Sequence, residues 1–230
     1  MLVPLPLFPL NTPLVPGLVL PLHIFEPRYR RLVEELLANP DEDAREFGII
    51  AVRDGHDVGP EGLTALYPVG TATVLRQAER HDDGRYDIVT TGTRRFRIHS
   101  VDASQSLLRG EVEFLDDVSD PTDALIARQV SARFHAYRAT LGGQVAEDVD
   151  GYPGAEDDED DLPDDPTVLS FLVTAAMVLQ TEERQELLAA ETTGDRLRRA
   201  RWLLRRETAL IAALSAVPAI DLPGVAPSAN

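Results

Sequence analysis

The sequence contains no cysteine and no lysine, so all 22 of its basic residues are arginine. Without cysteine the chain can form no disulfide, thiolate metal site or cysteine nucleophile, which fits a reducing compartment. Without lysine it has no Walker A lysine, no Ser–Lys proteolytic dyad and no Schiff base, because each of these needs the lysine amine. These absences exclude Walker-type ATP hydrolysis and Ser–Lys proteolysis.

Other catalytic and membrane-spanning patterns are missing as well. There is no G-x-S-x-G elbow or G-x-G-x-x-G loop, and the histidines at 23, 56, 81, 99 and 135 show no metal-binding spacing. We therefore predict no enzymatic activity, no cofactor and no metal site. No apolar run approaches the ~20 residues that span a bilayer, and six prolines interrupt the apolar first 25 residues, unlike a signal peptide. The expected location is the cytoplasm.

The net charge of −17 is unevenly placed, because residues 147–165 hold eleven acidic groups and no basic one. The rest of the chain is only mildly acidic. Nucleic-acid affinity comes largely from cations that displace counterions from phosphate. The composition therefore argues against a general phosphate-binding surface.

Residues 14–37 carry the clearest local signal, an apolar Pro/Gly-punctuated stretch followed by an amphipathic helix. Pro27 suits the first helical turn, and Asn39-Pro40 ends the pattern. The predicted core-facing side is Tyr29, Leu32, Val33, Leu36 and Leu37.

Short strands are predicted on both sides of this helix. Residues 2–10 are rich in proline, which predicts an edge or bulged strand, and 18–24 and 47–52 predict two more, with a loop over 54–66. From 67 to 115 the apolar period becomes two. Asp83-Gly84 predicts a hairpin there, and Gly92 a break between two strands.

The second half is predicted to be helical. Apolar residues at helical spacing run from 126 to 141, and Gly142-Gly143 predicts the end of that helix. Residues 144–165 predict a disordered acidic linker, and helices follow at 168–179, 181–189 and 195–216 before a flexible tail at 217–230.

Five separated segments carry a family resemblance: FPL at 8–10, PGLVLPLHIFEPRYRRLV at 16–33, FGIIAV at 47–52, VGTATV at 69–74 and GTRRFRI at 92–98. In order and spacing they resemble the N-terminal substrate-binding domain of Lon protease, in a stand-alone version whose fold also occurs in cereblon. The resemblance implies an α+β fold. It consists of a twisted antiparallel small β-barrel of the PUA-like type with an inserted helix over 1–117, followed by an α-helical subdomain over 118–216.

The resemblance also implies a function, the non-catalytic recognition of polypeptide in protein quality control. The implied partners are unfolded or tagged polypeptides, together with a protease or chaperone; nucleic acid and membrane are not expected. Two alternatives stay open, an RNA-binding PUA-like protein and an enzyme with an unrecognised small-molecule site.

The candidate peptide-binding residues are His23, Phe25, Glu26, Arg28, Tyr29, Arg95 and Trp202, since aromatic and arginine side chains suit recognition of exposed chain. A structural alternative places Phe25 and Tyr29 in the core, with Glu26 and Arg28 holding the start of the helix. Arg94, Arg95 and Arg97 are predicted on the outer face of a strand, solvated or facing phosphate.

Trp202 lies among arginines of the last helix, off its apolar face, so it is either covered by a neighbouring element or offered to a partner. We further predict that acidic residues 147–165 rest loosely over this basic face, held by weak, salt-sensitive ion pairs. The alternative is a linker that only solvates itself.

Overall fold

The computed structural model describes residues 1–53, 66–148 and 162–215. The strands are β1 Val3–Leu10, β2 Val19–Ile24, β3 Glu46–Ala51, β4 Val69–Arg80, β5 Tyr86–Asp102 and β6 Arg109–Leu115. The helices are α1 Pro27–Leu37, α2 Asp123–Asp148, α3 Pro166–Ala176, α4 Thr181–Ala189 and α5 Thr193–Ser215, with one 3-10 turn at Glu42–Ala44.

The sheet closes on itself to form a small barrel. Its strand order is β2-β5-β4-β3-β1-β6, and β6 also pairs with β5, so five strands make a ring to which β2 is added along the first part of β5. All pairings are antiparallel except β1 with β3, which is parallel. The α+β prediction is thus confirmed, with the parallel pair as the one departure from an antiparallel barrel.

Strand β1 was predicted to be an edge or bulged strand, and the edge alternative is wrong. It runs between two neighbours, but its first half, from Val3 to Pro6, pairs with β6 and its second half, from Leu7 to Leu10, pairs with β3. Each half of β1 therefore has a paired strand on only one of its two sides. Proline lacks an amide N–H, so the unpaired sides accommodate the prolines of β1 within a closed barrel.

Strand β5 is one continuous element where the sequence predicted two strands separated at Gly92. A Cβ atom on Gly92 would lie 2.8 Å from the main-chain oxygen of Val15. The strand pairing also shifts register here, between Ala72 and Thr73 of β4. Glycine is therefore required by a close approach of main chains at a bulge, and it does not end the strand.

Helix α1 packs across the barrel through the predicted face. Tyr29, Leu32, Val33 and Leu36 are buried, and the ring of Tyr29 lies 4.2 Å from that of Phe8. Leu37 was predicted on the same face but is 38% exposed, because it is the last residue of the helix and lies at the edge of the contact.

Helices α2 to α5 form a bundle with its own apolar core, which includes Val130, Phe134, Leu197 and Leu203. The predicted end of α2 at Gly142-Gly143 is wrong, since the helix continues to Asp148. Residues 144–148 therefore belong to a helix, while 149–161 of the predicted linker, 54–65 of the loop predicted over 54–66, and the tail over 217–230 lie outside the described residues. Over the described ranges no helix is long and apolar enough to cross a membrane.

A buried ionic cluster joins the barrel to the bundle. Arg95 of β5 and Arg196 of α5 both contact the Asp117 carboxylate, at 2.8 and 3.1 Å. Arg95 also donates to the main-chain oxygens of Leu188 and Ala190 at the end of α4. Barrel and bundle are therefore held together by directional contacts as well as by apolar packing.

Candidate functional site

A cavity of about 590 Å³ opens between the end of β1, β2 and the start of α1. It brings together five of the seven candidate residues, since His23, Phe25, Glu26, Arg28 and Tyr29 all line it. The remaining lining residues are Phe8, Pro9, Leu10, Asn11, Leu22 and Val52. We call this cavity the α1 pocket.

Phe25 is the most exposed aromatic side chain of the α1 pocket. It is 62% exposed, and its ring lies 6.4 Å from the imidazole of His23 in a stacked orientation. The structural alternative that placed Phe25 in the core is therefore wrong. It holds for Tyr29, which is buried. Because Phe25 comes just before the first turn of α1, no core-facing helical position determines its direction.

The polar part of the α1 pocket is an ion pair at the start of α1. Arg28 contacts the Glu26 carboxylate at 2.8 Å, and its guanidinium lies 4.6 Å from the centre of the Tyr29 ring. Burial raises the pKa of Tyr29 despite the opposing charge of Arg28. The phenol therefore stays neutral at physiological pH, so the pocket combines a neutral aromatic floor with a paired charge at its rim.

Arg95 was a candidate for the binding surface, and the structure contradicts this. It lies on the outer face of β5, as predicted, but helix α4 and the following residues cover that face, so Arg95 is 1% exposed. Its neighbour Arg94 contacts Glu46 and stacks on Phe114, at 3.4 Å from the ring centre. The run of arginines therefore forms no shared phosphate-binding patch.

Trp202 lies on α5, away from the lining of the α1 pocket. It is 52% exposed, and the guanidinium groups of Arg199 and Arg206 lie 4.7 and 5.3 Å from its ring. Both arginines are paired in turn with carboxylates of α4, Glu186 and Glu183. The predicted contact with the acidic segment stays a prediction, because 149–161 lie outside the described residues.

An apolar groove of about 660 Å³ between the barrel and α3 was missed in the sequence. Its walls include Leu18, Val168, Phe171 and Leu172, and Val168 is exposed. The available signal was the apolar content of 168–176, which exceeds what one buried helix face needs. We call this surface the α3 groove.

The histidines also come together in a way that their sequence spacing did not predict. His23, His81 and Asp87 each place a potential ligand atom within 4.8 Å of the others. Asp87 accepts hydrogen bonds from His23 Nδ1 at 2.6 Å and from His81 Nε2 at 2.8 Å. Of the residues described, these three form the group suited to hold a metal ion, and we call them the histidine cluster.

Comparison with known proteins shows which family this chain is similar to. The family described as the ATP-dependent protease La (LON) substrate-binding domain matches residues 4–206. Lon protease 2 of Syntrophobacter fumaroxidans is 26% identical over 200 residues, which cover 86% of this chain and 23% of that protein. Lon protease 2 of Desulfotalea psychrophila is 28% identical over 208 residues, which cover 89% and 25%. The chain thus spans about a quarter of the length of these relatives.

Solved structures are similar over nearly their whole length. A Lon N-terminal domain protein from Xanthomonas campestris has a TM-score of 0.59 and 25% identity, with 88% of this chain and 98% of that chain covered. The N-terminal domain of the Lon protease from the Mycobacterium avium complex has a TM-score of 0.62 at 18% identity, covering 90% and 98%. The second likeness supports the fold alone.

Proposed function

Because the chain belongs to the ATP-dependent protease La (LON) substrate-binding domain family, we propose that it recognises polypeptide without catalysing a reaction on it. The proposal includes unfolded or tagged chains as ligands and a protease or chaperone as the protein that acts on them. A cytoplasmic location belongs to the same proposal.

One observation carries the choice of surface: the exposed Phe25 ring at the mouth of a pocket with a buried aromatic floor. An exposed aromatic side chain beside a concave surface is a common anchor of a binding site, since it removes a large area from water when a partner docks. The Glu26–Arg28 pair at the rim neutralises its own charge. The pocket therefore suits an uncharged, partly apolar segment better than a strongly acidic or basic one.

The sequence also limits what the protein does after binding. The Walker A site and the Ser–Lys dyad need a lysine, and the chain has none. We expect purified protein to leave casein intact in the presence of ATP. Appearance of cleavage products that depends on a residue of this chain would contradict the non-catalytic part of the proposal.

The binding test uses fluorescently labelled, permanently unfolded casein, with anisotropy as the readout. Wild-type protein should raise the anisotropy in a saturable way. Phe25→Ala should weaken binding by about thirtyfold, the effect of losing an aromatic anchor of ~2 kcal/mol. Leu125→Ala is the matched control, because Leu125 is 66% exposed on α2, away from the α1 pocket.

A third variant separates the two concave surfaces. Val168→Ser places a hydroxyl in the α3 groove and leaves the α1 pocket unchanged. If Val168→Ser weakens binding and Phe25→Ala does not, the α3 groove is the binding surface and our assignment is wrong. If wild-type protein binds no unfolded chain at all, the proposed function itself fails.

A further inference from the structure

The histidine cluster lies next to the α1 pocket and shares only His23 with it, since His81 and Asp87 do not line that pocket. His23 belongs to β2, Asp87 to β5, and the two are direct partners in the antiparallel register. His81 follows the last residue of β4, where a tight turn closed by hydrogen bonds from His81 N to Arg85 O and from Gly84 N to His81 O leads back into β5. Main-chain hydrogen bonds therefore fix the positions of the Cα atoms from which all three side chains extend.

The donor atoms are of the type that a transition metal prefers. Two imidazoles and one carboxylate supply nitrogen and oxygen ligands, which Zn²⁺ binds at about 2.0–2.2 Å. Both oxygens of Asp87 point to histidine nitrogens, at 2.6 and 2.8 Å. Ligand atoms around a tetrahedral ion lie roughly 3.3–3.6 Å apart at these bond lengths. Small rotations of partly exposed side chains would open the cluster to that size.

We propose that His23, His81 and Asp87 form a binding site for a divalent transition-metal ion, with Zn²⁺ as the ion of choice. Three protein ligands leave at least one coordination position for water or for a group on a bound molecule.

Ion binding requires a change of tautomer at both His23 and His81, because in this structure Nδ1 of His23 and Nε2 of His81 each donate a proton to Asp87, and that proton must move to the other ring nitrogen. Arg85 lies 3.3 Å from Nε2 of His23, and a guanidinium only donates, so in this structure Nε2 accepts and Nδ1 donates to Asp87. With a metal ion at Nδ1 the proton moves to Nε2, and Arg85 turns away. Its own carboxylate partner Asp83, at 2.6 Å, can hold the guanidinium in that position.

The chain provides a matched control. His99 on β5 contacts Glu113 of β6 at 3.0 Å, with a partly exposed side chain like those of the cluster. This pair has the same chemistry but no third ligand among the described residues. A metal that merely collects on exposed His–carboxylate pairs would bind both places equally, whereas a three-ligand site binds only at the cluster.

The experiment uses the full chain without a histidine tag, and Zn²⁺ alone as the probe. Zn²⁺ is titrated against a chromophoric chelator, and we expect one ion per chain. His81→Ala and Asp87→Asn should each weaken binding by about tenfold or more, since even outer partners of metal sites contribute this much. His99→Ala should bind as the wild type does. Circular dichroism of the metal-free variants checks that each one folds.

A measurement on the unmodified protein keeps the test independent of the variants. Imidazole proton resonances of His23 and His81 should shift in NMR spectra on addition of one equivalent of Zn²⁺, and those of His99 should not. The proposal is overturned if no stoichiometric binding occurs, or if all three histidines respond alike. Because this test requires no polypeptide ligand, its failure leaves the proposed recognition function untouched.

Discussion

Removal of the Asp117 carboxylate should destabilise the protein far more than removal of an ordinary surface carboxylate. Asp117 lies between the guanidinium groups of Arg95 and Arg196, which are 1% and 0% exposed. Burial, and then the nearby charge of Arg95, lowers the pKa of Arg196 to about 10. The folded state therefore holds two buried cations at a cost that Asp117 partly offsets.

The magnitude follows from what Asp117→Ala leaves behind. Breaking a buried ion pair by removing one partner costs about 3–5 kcal/mol, because the other charge stays buried without compensation. Each guanidinium here keeps main-chain acceptors, among them Leu188 O for Arg95 and Leu187 O for Arg196. We therefore expect the lower end, about 3 kcal/mol. For a chain of this length that corresponds to a fall in melting temperature of roughly 6–12 °C.

The matched control is Asp43→Ala. Asp43 contacts Arg76 at 2.8 Å, the same distance as Arg95 to Asp117, but its side chain is 84% exposed. An exposed pair contributes only about 0–1 kcal/mol and is screened by salt. Thermal unfolding followed by circular dichroism, at low and at high salt, should show a large, salt-insensitive effect for Asp117→Ala alone. Equal shifts for the two variants would refute the reasoning from burial.

Three further predictions concern packing and pH. Leu36→Ala should lower the free energy of unfolding in urea by about 2–5 kcal/mol, and Leu37→Ala by less than ~1 kcal/mol, because Leu36 is buried and Leu37 is exposed; equal effects would mean that α1 is placed wrongly. Gly70→Ala should lower the melting temperature, because its Cβ would lie 2.5 Å from a main-chain oxygen that cannot move aside; an unchanged value would show that β3 and β4 can separate there. A hydrogen bond from Arg206 lowers the pKa of Glu183 below its ordinary value of 4.5. The Glu183–Arg206 pair therefore stabilises the fold above pH 4.5, and this stabilisation is lost as the pH falls through the lowered pKa. Glu183→Gln should be less stable than Glu182→Gln at pH 7, and the difference should disappear in acid.

Local sequence patterns were sufficient to locate those elements whose buried residues recur at regular spacing. Helix α1 could be placed from its apolar stripe, since every buried position recurs at helical spacing. The exceptions were glycines. Gly92 and the pair Gly142-Gly143 resemble breaks in a sequence, yet β5 and α2 continue through them. At Gly92 the reason is the approach of Val15, which is distant in sequence and invisible to any local pattern.

Candidate site residues were predictable where they are neighbours in sequence, and not where the sheet assembles them. His23, Phe25, Glu26, Arg28 and Tyr29 lie within seven consecutive residues of the sequence and line one pocket. The partners of Arg95 are Asp117 and the main-chain oxygen of Leu188, and the partner of His23 is Asp87 of β5. Strand register and helix docking decide these contacts, because they juxtapose residues that no spacing rule connects.

During synthesis on the ribosome, residues that contact each other in the folded protein would become available at very different times. Residues of β1 emerge first but meet β6 only after Val112 has been made. Arg95 then precedes its acceptor at Leu188 by 93 residues. At bacterial and eukaryotic elongation rates this interval lasts roughly 5–20 s. During that time the barrel can complete its own ladder while the Arg95 guanidinium stays hydrated on its outside. Docking of α4 must then remove this water from the Arg95 guanidinium, so the contact between barrel and bundle includes the dehydration of a charge.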